Sequence, residues 1–132
     1  MSELGARRHR ARERALEILY EAAIKERPLE SVLAALTVAP DDYAVALVRA
    51  AEASRERADV LIEQNSHAWA LERLALIDHL IMRLALGEWW SDGAQPTAVI
   101  LDEAVELAVT YSTDGSGAFV NGVLAACVAG GR

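Results

Sequence analysis

The chain has 132 residues and a formal net charge of −7; 53% of its residues are hydrophobic but only 5% are aromatic. This length suits one unit, with two small subdomains at most, and a composition led by Ala and Leu with 3 prolines favours helix over strand. The longest apolar stretch, Leu80 to Leu86, is broken by Arg83, the basic start lacks the apolar core of a signal peptide, and the single Cys127 has no partner for an internal disulfide; the expectation is a soluble cytoplasmic protein with Cys127 as a core thiol.

The first predicted helix runs from about Ala6 to Glu26, because Leu16, Leu19, Tyr20 and Ala23 recur at i, i+3, i+4 and i+7. Its start holds Arg7, Arg8, Arg10, Arg12 and Arg14 within eight residues whose only acid is Glu13; that segment carries +4 and leaves −11 for the rest. A basic handle on an acidic body attracts phosphates, and arginine offers them planar, bidentate donors. A merely solvated helix start is the plainer alternative. At 100° per residue Arg7, Arg10 and Arg14 share a stripe at the margin of the apolar face. Arg8 and Arg12 point toward the apolar side, so the first two turns should overhang the core, leaving these side chains in water or on a ligand.

Pro28 ends this helix or opens a short second one holding Leu29, Val32, Ala35 and Leu36. Pro40, Asp41 and Asp42 read as a break and an N-cap. One long third helix then keeps helical spacing from Tyr43 to Ile62, with Arg49, Glu52, Arg55, Glu56 and Arg57 on a solvated, salt-bridged face. Asn65 and Ser66 mark a boundary between subdomains of residues 1–65 and 66–132. Leu71, Leu74, Ile77, Ile81, Leu84 and Ala85 describe an apolar helix ending near Trp89 and Trp90. Ser91 to Gln95 is a turn, Pro96 and Thr97 open a helix reaching Tyr111, and Asp114 to Gly117 is a second turn with Ser116 as N-cap. The last helix holds Phe119, Val120, Val123, Leu124 and Cys127 and stops at Gly130 and Gly131. No segment alternates with period two, so the expected fold is all-α, two packed helical subdomains.

Reactive groups do not converge as an enzyme requires. His9, His67 and His79 show no metal-ligand spacing, and Gly115-Ser116-Gly117 lacks the lysine and preceding strand of a phosphate loop. No catalytic residue, metal or cofactor is expected. Asp102, Glu103 and Glu106 cluster at a helix start, either complementing its dipole or forming an acidic patch for a basic partner. Trp69, Trp89 and Trp90 are lids or interface anchors; one of the adjacent pair must face away from the core, and an exposed indole would favour a homodimer. Gly122 reads as permitting close helix approach, with Asn121 bonded to a neighbouring loop.

Three segments resemble the NusB family. They are Arg7 to Ala22 (RRHRARERALEILYEA), Leu71 to Trp89 (LERLALIDHLIMRLALGEW), and Leu101 to Leu124, where Glu103-Ala104-Val105-Glu106-Leu107-Ala108 and Phe119-Val120-Asn121-Gly122-Val123-Leu124 are the most specific. The pattern is departed from at Gly87, Gly115 and Ala118. The resemblance implies a non-enzymatic, all-helical transcription antitermination factor. Such a factor binds single-stranded boxA-type RNA of ribosomal RNA operons together with the ribosomal protein NusE and acts in an RNA polymerase antitermination complex. It implies RNA contacts from Arg7, Arg8, Arg10, Arg12 and Tyr20, and places the NusE-facing side on Glu88, Asp102, Glu103 and Glu106. The competing expectation is a NusB-like interaction scaffold indifferent to RNA.

Overall fold

The computed structural model describes residues 2–67 and 70–132, so the reading of Trp69 lies outside the described residues. Among the described residues there are seven α-helices, a short 3-10 turn and no strand: α1 Glu3–Lys25, α2 Leu29–Ala35, α3 Asp42–Ala53, α4 Arg55–Asn65, the 3-10 turn Leu71–Arg73, α5 Leu76–Trp90, α6 Thr97–Tyr111 and α7 Ser116–Val128. None is long and apolar enough to cross a membrane.

The order of the bundle follows from α5. Ten of its 15 residues are buried, from Asp78 and Leu80 through Trp89. A helix buried round most of its circumference must be covered on several sides, and α5 packs against α1, α3, α4, α6 and α7. Helix α1 lays Ala15, Leu16, Ile18 and Leu19 into the same core that Leu47, Val48 and Ala51 enter from α3. Ser2 caps α1 by accepting from Gly5 N at 2.9 Å, and Asp41 caps α3 by accepting from Tyr43 N at 2.7 Å.

Several local expectations are corrected. The long third helix is two helices. Ser54, at φ −100° and ψ 7°, donates its hydroxyl to the carbonyl of Ala50 at 2.7 Å, a back-bond that bends or ends helices. After this joint α4 packs on α5 and α7, so by packing it sits with the second half of the chain although it precedes Ser66. The helix expected from Leu71 begins only at Leu76. Ser116 is not the cap of α7; Gly115 holds that position at φ 87°, and the buried Ser116 donates to Asp78 Oδ2 at 3.0 Å. Asp102, Glu103 and Glu106 lie beyond the first turn of α6, which carries no acid, so they do not offset its dipole there.

The glycine of close approach is Gly87, not Gly122. A β-carbon on Gly87 would sit 2.9 Å from the Ala51 backbone, whereas one on Gly122 would meet nothing within 4 Å. Backbone contact between α5 and α3 at Gly87 brings the C-terminal turn of α5 under α1, which positions the site.

Candidate nucleic-acid interface

The arginines of α1 meet two different surroundings. Arg7, Arg10 and Arg14 do share one stripe, and it forms a wall of a groove between α1 and residues 38–41. The groove has a volume of about 460 Å³ and an apolar floor of Ala11, Val38, Ala39 and Pro40. Arg7 Nε donates to Asp41 Oδ2 at 2.7 Å and Arg14 Nη2 to the Val38 carbonyl at 3.2 Å, so the two end arginines tie the loop to the helix. Arg10 stands between them, exposed. The hydrogen bond from Arg7, helped by that from Tyr43 N, holds the Asp41 carboxyl below its ordinary pKa, and Asp41 in turn raises Arg7. With Arg7 neutralised by Asp41, the groove's uncompensated positive charge comes from Arg10 and Arg14, beside apolar surface.

Arg12 is corrected from RNA contact to core residue. It is 3% exposed. It precedes Leu16 by four residues and so lies on the same buried stripe of α1. Its Nε and Nη2 form a fork on Glu88 Oε1 and Oε2 at 2.8 and 2.6 Å. Tyr43 Oη donates to Glu88 Oε2 at 2.6 Å, and the guanidinium lies 5.8 Å from the Tyr43 ring centroid. Burial, and then the neighbouring Glu88 carboxylate, push the Tyr43 hydroxyl up to about 12. Burial alone would lower Arg12, but the Glu88 bond outweighs it and the pKa rises. Glu88 is likewise corrected: at 3% exposure, with both oxygens occupied, it offers no face to a partner protein.

The remaining expected residues are spread more widely. Arg8 is half-buried and turns away from the groove, its Nη1 donating to Gln95 Oε1 at 3.1 Å. Tyr20 is 40% exposed but stands on the stripe of Glu13 and Glu17, about 9 Å along the helix from Arg14 at 1.5 Å per residue, so the fold does not bring it into the groove. Glu103 is engaged by His9 Nδ1 at 2.6 Å and lies 3.8 Å from Arg12, while Asp102 and Glu106 are exposed. Arg14 is the groove residue absent from the expected RNA contacts, and its place on the Arg7–Arg10 stripe is the signal for it.

Cys127 is buried, which pushes its thiol up to about 11 and leaves it protonated and inert. His79 and Arg83 both bond Asp59, at 2.7 Å for His79 and at 2.8 and 2.7 Å for the Arg83 fork. Among the described residues no group of three His, Cys, Asp or Glu is arranged to hold a metal. Trp89 is 3% exposed and donates to Thr97 Oγ1 at 3.0 Å, while Trp90 is half-buried under Arg57. Neither is the exposed anchor that would favour a homodimer.

Comparison with known proteins agrees with this architecture. The family model for the NusB family matches residues 9–129. The transcription antitermination protein NusB of Saccharopolyspora erythraea is 41% identical over 128 residues, covering 92% of this chain and 85% of the relative. NusB of T. maritima superimposes with a TM-score of 0.81 at 29% identity, covering 91% of this chain and 89% of that one. A structure described as antitermination factors NusB and NusE in complex with dsRNA shares the fold, with a TM-score of 0.76 at 24% identity over 96% of this chain and 97% of that one. The chain belongs to the NusB family, which comprises transcription antitermination factors rather than enzymes.

Proposed function

We propose that this protein binds boxA-type RNA of ribosomal RNA operons in the cytoplasm, together with the ribosomal protein NusE, and so joins an RNA polymerase antitermination complex. The observation that carries the RNA reading is the groove walled by Arg7, Arg10 and Arg14 over the apolar floor at residues 38–40. Guanidinium groups suit phosphates, and apolar surface beside them suits the face of an unstacked base. That pairing favours a single strand, although the related NusB–NusE complex is described with double-stranded RNA. For the protein partner, the acidic surface reduces to exposed Asp102 and Glu106. A basic ribosomal protein would be steered to them electrostatically.

The test is fluorescence anisotropy of a labelled boxA-like RNA with and without NusE across a salt series, against scrambled and duplex controls. The reading expects preference for the single-stranded boxA-like RNA, gain with NusE, and affinity that falls with salt. Equal binding to scrambled RNA, or none with NusE present, leaves a helical scaffold instead.

A further inference from the structure

The basic surface does not end at the groove. Where Arg8 leaves α1 it meets Gln95, in the turn before α6. The Gln95 carbonyl accepts from Arg132 Nη2 at 3.0 Å. The Arg132 guanidinium lies 5.6 Å from the Trp89 ring centroid, Trp90 lies 6.1 Å from Trp89, and Arg57 lies 4.0 Å from the Trp90 centroid. These six side chains form one chain of contacts from α1, across the α5–α6 turn, to the first turn of α4, with the buried Trp89 as the floor between Arg132 and Trp90. Among the described residues Arg8, Arg57 and Arg132 have no carboxylate within 4.0 Å, as is also true of Arg10, Arg14, Arg27 and Arg73, whereas Arg7, Arg12, Arg49, Arg55 and Arg83 each do. What marks the strip is that three of these guanidiniums lie on one path beside two indoles.

We propose that this strip is a second segment of the RNA-binding surface. Arg8 and Arg132 take phosphates of a strand leaving the groove, and the exposed Arg57 stacked on Trp90 offers a platform for a base. The inference rests on the reading that the groove binds RNA. Its chemistry is that of single-strand recognition, in which a charged track follows the backbone and a flat π or guanidinium face takes each base regardless of sequence. The competing account is that Arg57 and Arg132 only cap two indoles. The turn also carries exposed Asp92, whose charge opposes an anion on this path.

A length series separates the possibilities. A core boxA-like RNA of about 6 nucleotides and versions extended by about 6 at either end span the range of single-strand site sizes. The parent protein should bind one extended RNA about tenfold tighter than the core, the gain of one stacked base. In R57A/R132A that gain should vanish while core binding stays, with the salt slope on the extended RNA falling by roughly 0.7 for each phosphate no longer held. D92N should strengthen binding of the extended RNA. Trp fluorescence, read as parent minus W90F, should be quenched by the extended RNA and not by the core. An extension that adds no affinity overturns the proposal, as does a gain that survives R57A/R132A. A lower Tm in R57A/R132A with unchanged RNA binding also overturns it, in favour of simple capping. If the parent binds no core RNA, the groove reading fails and the strip falls with it; loss of the extension gain alone overturns only the strip.

Discussion

Arg12 and Arg10 are two residues apart on one helix, and their positions differ in almost every physical respect. Arg10 stands in water at the wall of a groove, free to meet a phosphate. Arg12 is sealed beneath it, forked onto Glu88 and stacked near Tyr43. The outer arginines can leave the structure almost unchanged when removed, because an exposed ion pair such as Arg7–Asp41 is worth little. The inner one holds the base of the site: it ties α1 to α5, and Tyr43 brings in α3. A charge run is therefore not one functional unit, and its members divide by the angle each takes to the core.

The sharpest way to break this contrast is Arg12→Ala. It leaves Glu88 buried and unpaired, and should cost about 3–5 kcal/mol in urea unfolding. Replacing the whole cluster as R12M/E88L/Y43F should restore most of that loss, because well-packed apolar groups often match a buried ion pair. A parent-like midpoint for Arg12→Ala would show that the fork contributes nothing.

Gly87→Ala comes next. Its methyl would press on the α3 backbone at Ala51, and overpacking of this kind costs about 1–3 kcal/mol. An aromatic at the same place should be worse, forcing α3 from α5 and opening the groove. Gly122→Ala meets open space and should not destabilise, which unfolding of the two variants side by side would establish.

A smaller effect appears with pH at the Asp59 cluster. Burial, with the Arg83 charge, lowers His79 below its ordinary value of 6.5 despite the Asp59 bond. The unfolded chain then binds the proton more readily, so stability rises with pH through the window from the folded pKa up to about 6.5 and falls on acidification. Burial would raise Asp59, but the Arg83 and His79 bonds outweigh it and lower the carboxyl. Its contribution is present above the ordinary carboxyl value and is lost as pH falls through the lowered one. Tm measured from pH 7 to 5 should drop less in H79Q than in the parent; equal drops would contradict the shift.

The smallest effect on stability belongs to the outer stripe. R7A and R10A should each change unfolding by less than about 0.5 kcal/mol, as exposed substitutions do.

The sequence reveals the fold through its apolar spacing. The bounds of α6 and the cap at Asp41 follow from local signals, Pro96–Thr97 and Asp41 itself. The break at Ser54 is less visible, because a serine inside an unbroken 3.6-residue period looks like ordinary surface until its hydroxyl is seen on the Ala50 carbonyl. The site is half legible. Helical angle alone places Arg7, Arg10 and Arg14 together. The depth of Arg12 depends on Glu88, 76 residues away, and no local pattern announces that partner. Gly87 gives a similar lesson: the residue looks like a gap in the family pattern, and only the α3 backbone behind it explains why a side chain has no room.

The most direct test is to measure RNA affinity and its salt slope for R7A/R10A/R14A beside R12M/E88L/Y43F, with circular dichroism to confirm that both are folded. The outer triple variant should lose most of its affinity and flatten the slope by roughly 0.7 per phosphate released, while the inner variant binds like the parent. Retained binding by the outer variant, or an equal loss in a folded inner variant, would contradict the division of the arginines into contact and core.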